Sequence, residues 1–184
     1  MSAQLIQVVL LIANTCFTLL IALLLMRFFM QLFRAPFNSP IGSFVLNLTN
    51  WLVLPLRRIV PAIRGFDSAS LLVAYLLQIL LLALVISLTT VFNVFNPGTM
   101  LQIALSAFFA LLRLTLYLFV VLLVAQAILS WFNPNPYTPL NQFIVPMTDP
   151  VLRPLRRIIP TISGIDLTPL LAILLVQIIL IFIG

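Results

Sequence analysis

Four long apolar segments separated by polar connections dominate the sequence, at residues 4–33, 67–92, 99–132 and 166–183. A bilayer core about 30 Å thick needs about 20 apolar residues in a helix, at 1.5 Å of rise each. The four segments are therefore predicted to be transmembrane helices, the fourth being barely long enough. Turn-forming residues at 93–98 separate the second helix from the third. The predicted fold is an all-α membrane protein.

A duplicated motif divides the chain into two repeats. Residues 55–67 read Pro-Leu-Arg-Arg-Ile-x-Pro-x-Ile-x-Gly-x-Asp, and the same pattern returns 99 residues later at 154–166. Over residues 55–81, 15 of 27 positions are identical to their counterparts without a gap. We expect repeats at 1–95 and 96–184, each consisting of a helix, a long connection and a helix. Because each repeat contains an even number of spans, both have the same orientation in the membrane.

Each long connection carries apolar residues at helical spacing. They are Ile41, Phe44 and Leu48 in the first repeat and Leu140, Phe143 and Met147 in the second. Such a segment is too short and too polar to span a bilayer, so it is predicted to be an amphipathic helix in the cytoplasmic headgroup region. Pro40 and Pro139 suit its first turn. A loop packed against the transmembrane bundle is the alternative.

The duplicated motif also contains arginines and, in both copies, a final aspartate. Pro55 and Pro154 are expected to open a short helical turn that bears an arginine doublet, and Asp67 and Asp166 to cap the following helix. The doublets either keep the connections inside and pair with those carboxylates, or bind anionic phospholipid headgroups or an acidic protein. The candidate lipid- or partner-binding residues are Arg57, Arg58, Arg64, Arg153, Arg156 and Arg157.

The distribution of arginine predicts the topology. Eight of the nine arginines lie in or beside the two long connections. Positively charged loops stay in the cytoplasm during insertion, so both connections are expected there and both termini in the periplasm of a bacterial inner membrane. Arg27 and its repeat counterpart Gln126 are expected at the inner interface.

Composition removes most chemistry. The chain is 64% hydrophobic and 7% charged, with nine basic residues, three acidic residues, no histidine and one cysteine, Cys16. Without imidazole, and without a second thiol, the usual catalytic groups and metal ligands are missing, so we expect no enzymatic activity, no metal and no cofactor. The net charge of +6 does not predict nucleic-acid binding, because the arginines lie between membrane segments rather than on one solvated face.

Four polar residues lie inside the predicted spans: Asn14, Gln78, Arg113 and Gln177. Gln78 and Gln177 are repeat counterparts near mid-membrane, and are expected to hydrogen-bond to each other or, alternatively, to line a pore. Asn14 and Arg113 are counterparts as well. Arg113 is expected to extend to the outer headgroups, or else to contact an anion or substrate.

The duplicated box followed by a long apolar helix, together with Asp-Pro-Val-Leu-Arg-Pro at 149–154, resembles the YggT/YlmG family. The resemblance covers essentially the whole chain. It implies a small bacterial inner-membrane protein, with family links to osmotic-shock tolerance and ion homeostasis, and in single-copy plastid relatives to cell division, nucleoid organisation or cytochrome assembly. The first repeat departs from the pattern, since Asn50 and Trp51 replace Asp149 and Pro150. The haem-related role transfers poorly, because histidine and a cysteine pair are missing.

The leading hypothesis is a non-enzymatic membrane protein that organises anionic lipid or partner proteins at the cytoplasmic leaflet, contributing to envelope or osmotic-stress homeostasis. A bundle of four short spans is thin, which favours a homo-oligomer. The alternative is an oligomeric channel or transport component lined by the four intramembrane polar residues. The scarcity of acidic groups within the spans favours the first hypothesis, because cation paths commonly use Asp or Glu.

Overall fold

The computed structural model describes residues 3–58, 60, 67–89, 96–132, 138–157 and 166–183. Within these residues the chain is all-helical. The six helices are α1 (Ala3–Leu32), α2 (Pro40–Arg57), α3 (Ser68–Thr89), α4 (Pro97–Phe132), α5 (Pro139–Arg156) and α6 (Thr168–Ile183).

Three of the described helices are long and apolar enough to cross a membrane, where the sequence predicted four. The qualifying stretches are Gln4–Leu32, Ser68–Thr89 and Pro97–Trp131. The fourth helix, α6, is equally apolar but has 16 described residues. At 1.5 Å per residue it is about 24 Å long, short of the roughly 30 Å hydrocarbon core. Its shortness follows from a start at Thr168, two residues after the predicted position.

The helix α4 begins at Pro97, two residues before the predicted start at residue 99. Proline is well tolerated at the first position of a helix, where its missing N–H is not needed. The side chain of Asn96 accepts a hydrogen bond from the Gly98 amide at 3.2 Å, which helps to start the helix. The predicted end of the second helix at residue 92 lies outside the described residues.

The helices α2 and α5 begin at equivalent places in the two repeats. The Ser39 hydroxyl accepts a hydrogen bond from the Gly42 amide at 3.1 Å, and the Thr138 hydroxyl accepts one from the Asn141 amide at 3.3 Å. Each helix therefore has a hydroxyl cap followed directly by the proline that was predicted for its first turn. The local sequence, a capping residue and then proline, is sufficient to set both starts.

The prediction of a separate short turn at each arginine doublet is wrong. The helices α2 and α5 run on through Pro55 and Pro154 and end at Arg57 and Arg156. A proline inside a helix removes one backbone hydrogen bond, and this loss is small so close to the helix end. The doublets consequently occupy the last turn and the C-cap of a long helix, where positive charge interacts favourably with the helix dipole.

A tight turn joins α1 to α2. The Ala35 amide bonds to the Met30 carbonyl at 2.9 Å and the Arg34 amide bonds to the Gln31 carbonyl at 3.4 Å, with Arg34 in the left-handed region at φ 56°. This is the hydrogen-bond pattern of a Schellman motif, which usually has glycine at the left-handed position. The turn sends α2 back across the C-terminal end of α1.

The packing brings each pair of long helices together with its short helix. In the first repeat α1 packs on α3 and α2 lies across both, and in the second α4 packs on α6 with α5 across both. The repeats meet mainly through α3 and α4, with a smaller contact between α1 and α4, whereas α1 and α6 make no comparable contact in the described structure. Aromatic rings strengthen the α1–α4 contact, since Phe119 of α4 lies edge-on to Phe29 and Phe33 of α1.

Candidate functional site

A buried carboxylate, that of Asp67, joins the three helices of the first repeat. Asp67 immediately precedes α3 and is fully buried. Its Oδ2 atom is 2.8 Å from Nη2 of Arg57, at the end of α2, and 3.3 Å from Nε of Arg27, inside α1. One carboxylate thus carries two guanidinium groups from two other helices, and we call this arrangement the Asp67 cluster.

The guanidinium of Arg27 is buried between helices, and its place at the inner membrane interface stays a prediction. Besides Asp67, its Nη1 donates to the Thr49 hydroxyl and to the Asn50 side-chain oxygen, each at 2.9 Å. A buried guanidinium is tolerated only when its charge is neutralised and its N–H groups have acceptors. Because Thr49 and Asn50 lie on α2, Arg27 fixes the position of that helix as well as that of α3.

Asp67 also contacts the first turn of α3. Its Oδ1 accepts from the Ser70 amide at 3.4 Å, and its Oδ2 accepts from the Ser70 hydroxyl at 2.7 Å. Burial raises the pKa of the Asp67 carboxyl, but hydrogen bonds from Arg57 and Ser70 and the positive charges of Arg57 and Arg27 outweigh burial and hold this pKa below its ordinary value. The carboxyl is therefore ionised at neutral pH.

The second repeat builds a related cluster around Asp166. Nη2 of Arg156 lies 3.0 Å from Asp166 Oδ2, and the Thr168 amide donates to Asp166 Oδ1 at 3.0 Å. Burial raises the pKa of Asp166. Hydrogen bonds from the hydroxyl and amide of Thr168 and the charge of Arg156 lower this pKa by more, so the net shift is downward. The Arg–Asp pair between helix end and following helix thus occurs in both repeats.

The two clusters differ in how their charge is balanced. The buried Arg27 has Gln126 as its counterpart, and Asn50 has Asp149 as its counterpart. Asp149 Oδ1 lies 3.1 Å from Nη1 of Arg156, and Asp149 Oδ2 lies 2.9 Å from Nη2 of Arg153. The first repeat therefore adds a second cation to its Arg–Asp pair, while the second repeat adds a second anion. The acid at position 149 therefore occurs in the second repeat alone, because its counterpart in the first repeat is Asn50.

The predicted lipid-binding arginines divide into two groups. The first arginine of each doublet, Arg57 or Arg156, is held in an ion pair with the acid of its repeat, although its side chain is 36% exposed. The second, Arg58 or Arg157, is exposed at the helix C-cap and forms no ion pair with any of the three aspartates, all of which the structure describes. Arg64 lies outside the described residues.

A cleft of about 610 Å³ lies beside the second doublet. Its polar groups are Arg153, Arg157 and Asp149, and its apolar wall is formed by Phe33 at the end of α1 together with prolines of α5. Those prolines are Pro146, Pro150 and Pro154, and their four-residue spacing puts them on one side of the helix. The cleft therefore combines exposed positive charge with an adjoining apolar wall.

A second cleft, of about 410 Å³, collects polar side chains from α1, α3 and α4. It is lined by Asn14, Thr18, Gln78, Arg113 and Tyr117, with Ala110 and Leu114. Nη2 of Arg113 also donates a hydrogen bond to the carbonyl oxygen of Ile183, the last described residue of α6, at 3.4 Å. Three of the four predicted intramembrane polar residues are thus brought together.

The fourth, Gln177, lies elsewhere, so the predicted hydrogen bond between Gln78 and Gln177 is not formed in the described structure. Gln78 is buried on α3, whereas Gln177 is exposed on α6. The prediction assumed that repeat counterparts face each other, but α3 packs on α4 rather than on α6.

Among the described residues there is no group of three or more metal-ligating His, Cys, Asp or Glu side chains. Cys16 is exposed on α1. The chemistry that these sites can perform is thus electrostatic recognition and hydrogen bonding by arginine, glutamine and asparagine.

Sequence reasoning missed the Asp67–Arg27 pair, although a signal was present. Between the repeats, a charge is gained at Arg27 where the counterpart is Gln126, and a charge is lost at Asn50 where the counterpart is Asp149. Two such differences at once suggest that these positions share one environment. The contact between Arg27 and Asn50 shows that they do.

Comparison with known proteins supports the resemblance seen in the sequence. The family model CCB3/YggT matches residues 6–96 and again residues 105–184, and each matched segment contains one arginine box with its aspartate. The chain belongs to the CCB3/YggT family. One matched segment lies in each half of the chain.

Relatives that match along most of this chain come from Escherichia coli and Pseudomonas aeruginosa, and a shorter one from Guillardia theta. The protein named uncharacterized protein YggT of Escherichia coli K12 is 37% identical over 168 residues, covering 90% of this chain and 84% of its own length. PA0392 of Pseudomonas aeruginosa is 35% identical over 91% of this chain and 84% of its own length. The protein ycf19 of Guillardia theta is 36% identical over 34% of this chain and 69% of its own length. No solved structure matches the chain.

We expect Asp67→Asn to lower the free energy of unfolding by about 3 to 5 kcal/mol, because it leaves the buried Arg27 without a counter-charge. Asparagine keeps the shape and capping capacity of aspartate, so the change isolates the charge. Adding Arg27→Gln, which supplies the amide found at the counterpart position 126, should restore part of the loss. Denaturant unfolding in mixed micelles measures this.

The matched control is Asp166→Asn, which should cost less because its partner Arg156 is half-exposed and keeps Asp149 as a second counter-charge. An Asp67→Asn protein as stable as the wild type, or losses that simply add in the double variant, would contradict the buried pair.

Proposed function

We propose that this protein is a non-enzymatic inner-membrane protein that binds anionic phospholipid headgroups at the cytoplasmic leaflet, and that this contributes to envelope or osmotic-stress homeostasis. The support comes from the way in which its arginines are arranged. The structural ion pairs engage the first arginine of each doublet and leave the second exposed in both repeats. This division of roles is the observation that carries the proposal.

In the proposed topology the chain crosses the bilayer four times, with both arginine boxes inside. Three helices meet the length requirement. The fourth crossing is made by α6, whose described residues are apolar apart from Thr168 and Gln177, with its capping acid Asp166 at the inner surface. Since two crossings, α3 and α4, separate the boxes, the second doublet returns to the side of the first. Eight arginines then lie toward the cytoplasm, as expected for topology set by positive charge.

The helices α2 and α5 lie along the headgroup region in this proposal. On α2, Phe44, Leu48 and Trp51 are exposed and follow one another at helical spacing, whereas Ser43 and Asn47 lie on another side. A short helix with an exposed apolar stripe beside a polar one is suited to the boundary between headgroups and acyl chains. Tryptophan is enriched at this depth because its ring is apolar and its N–H polar.

Arg58 and Arg157 supply the recognition of phosphate. A guanidinium presents several N–H donors in a plane that matches phosphate oxygens, and each arginine near an anionic leaflet contributes on the order of 1 kcal/mol. In the second repeat, the cleft containing Arg157 has Phe33 and prolines beside the charge. A lipid that places its phosphate at Arg157 can therefore rest the start of its acyl chains against the apolar wall.

We expect the variant Arg58→Gln with Arg157→Gln to lose its preference for phosphatidylglycerol and cardiolipin, by about fivefold for each arginine at about 1 kcal/mol each. Its stability in neutral detergent should stay unchanged, because neither residue forms an ion pair with the aspartates. Mass spectrometry of co-purified lipid measures the ratio of anionic to zwitterionic species.

The matched variant, Arg57→Gln with Arg156→Gln, should instead lower stability, because both residues pair with buried acids. An unchanged lipid ratio in a folded Arg58→Gln, Arg157→Gln protein would rule out headgroup binding at these residues.

The polar cleft favours a second candidate function, a path for an anion or a small polar solute. Asn14, Gln78 and Arg113 converge there, and its lining residues include a cation but no acid. A cation in such a place repels other cations and attracts anions. Lipid binding remains the better-supported function, because α6, which would help to enclose a path, leaves Gln177 outside the cleft.

In liposomes, a channel of this kind should give chloride flux that falls at least tenfold in Arg113→Gln with Gln78→Leu. Ser106→Ala, an exposed position on α4 outside the cleft, should leave the flux unchanged. Flux no greater than in empty liposomes would dismiss the channel.

A further inference from the structure

The main contact between the two halves of the chain joins one face of α3 to one face of α4. The Tyr75 hydroxyl on α3 donates a hydrogen bond to the carbonyl oxygen of Ala104 on α4 at 3.0 Å. Near this bond, Gln78 of α3 and Ala107 and Leu111 of α4 are buried. The 99-residue repeat gives every one of these positions a counterpart: those of α3 lie on α6, and those of α4 lie on α1.

On α6 the counterparts are uncovered. Leu174, the counterpart of Tyr75, is 56% exposed, and Ile181, seven residues further on, is 79% exposed. Between them, Gln177 is exposed although its counterpart Gln78 is buried. Spacings of three and four residues place Leu174, Gln177 and Ile181 on one side of the helix. The face with which α3 covers α4 is therefore free on α6.

Other positions on the same helices behave differently, which localises the effect. Leu76 of α3 and its counterpart Leu175 of α6 are both exposed, as are Leu80 and its counterpart Ile179. These residues form a side that faces outward in both repeats and is suited to contact with lipid. At these two outward-facing positions the repeats do not differ.

The opposite face of the interface is uncovered on α1. Val8, the counterpart of the buried Ala107, is 53% exposed, and Ile12, the counterpart of the buried Leu111, is 58% exposed. Leu5, the counterpart of Ala104, is exposed on the same side of the helix. The face that α4 presents to α3 thus has a free copy on α1.

The short helices repeat the pattern at the inner end. On α5, Phe143 and Met147 are buried in a cluster with Val45 of α2. Their counterparts on α2, Phe44 and Leu48, are exposed. The second repeat is therefore covered on this side along both α4 and α5. In the first repeat the equivalent residues of α1 are free, while those of α2 are the ones that face the headgroup region in the proposed topology.

We propose that a second copy of this chain covers the free faces of α1 and α6, with α1 of one copy packed against α6 of the other. The two free faces are copies of the two sides of one existing interface, so they are complementary to each other rather than each to itself. Every copy carries one face of each kind. Two copies can therefore satisfy both pairs of faces in a closed dimer, whereas a monomer leaves both open.

The exposed amide of Gln177 argues for protein rather than lipid on this surface. A polar side chain facing acyl chains is costly and usually contacts protein or water. Within one copy, Gln78 of α3 lines a cleft with Arg113 of α4. The repeat counterparts of these two residues are Gln177 and Asn14. The proposed contact therefore places Gln177 beside Asn14 of the second copy, where its amide has a polar partner.

Cross-linking between differently tagged copies tests the proposal. In a Cys16→Ser background, one copy carries Leu5→Cys and the other Leu174→Cys, so only contact between copies can join them. The internal standard is a single copy with Tyr75→Cys and Ala104→Cys, the equivalent pair across the α3–α4 contact. With a short bismaleimide at high lipid dilution, we expect a mixed dimer at a yield within about twofold of the internal product.

Replacing Leu174→Cys with Leu175→Cys, on the outward-facing side, should reduce the mixed dimer at least fivefold. Subunit counting by photobleaching in liposomes gives an independent readout: we expect two copies for the wild type and for Ile179→Trp, and a shift toward one for Ile181→Trp. A wild-type protein that counts as single copies, or equal cross-linking at 174 and 175, would overturn the proposal and leave lipid on this face.

Discussion

Charge in an apolar surrounding must be neutralised, and in the first repeat one buried carboxylate, that of Asp67, meets this constraint. Asp67 accepts from Arg27 on α1, from Arg57 on α2 and from the first turn of α3. The alternative to this contact is an isolated guanidinium inside a long apolar helix, which costs several kcal/mol. The arrangement of α1, α2 and α3 follows from it, because these helices can satisfy Arg27 only by meeting at Asp67.

The second repeat meets the same constraint with the opposite charge. It has Gln126 where the first has Arg27, and Asp149 where the first has Asn50. One cation is removed from the helix interior. At the surface an anion, Asp149, and a cation, Arg153, whose counterpart is Leu54, are added, and Asp149 bridges Arg153 and Arg156. The first cluster carries one net positive charge, from two arginines and one aspartate. The second, with two of each, carries none. Duplicated halves have thus become electrostatically distinct while keeping the Arg–Asp pair that joins helix end to helix start.

Much of the fold could be predicted from the sequence because it depends on local patterns. Apolar length set the long helices, and a hydroxyl residue followed by proline set the starts of α2 and α5. The errors concern effects of tertiary packing. The interior Pro55 was expected to begin a new element, but the loss of one hydrogen bond near a helix end did not interrupt α2.

The candidate sites were predictable as residue types but not as contacts. The pairing of Asp67 with Arg27 joins residues 40 positions apart, and no local rule connects them. The expected contact of Gln78 with Gln177 failed because sequence symmetry was taken to mean spatial symmetry, whereas the halves pack through unlike faces. The uncovered faces on α1 and α6 follow from the same asymmetry.

The proposed function requires both arginine boxes to lie at one side of the membrane, and cysteine labelling tests this topology directly. In a Cys16→Ser background, Arg58→Cys and Arg157→Cys are each treated with a membrane-impermeant maleimide in right-side-out and in inverted vesicles. The account predicts that both positions label only in inverted vesicles. Labelling of the two positions from opposite sides would contradict it.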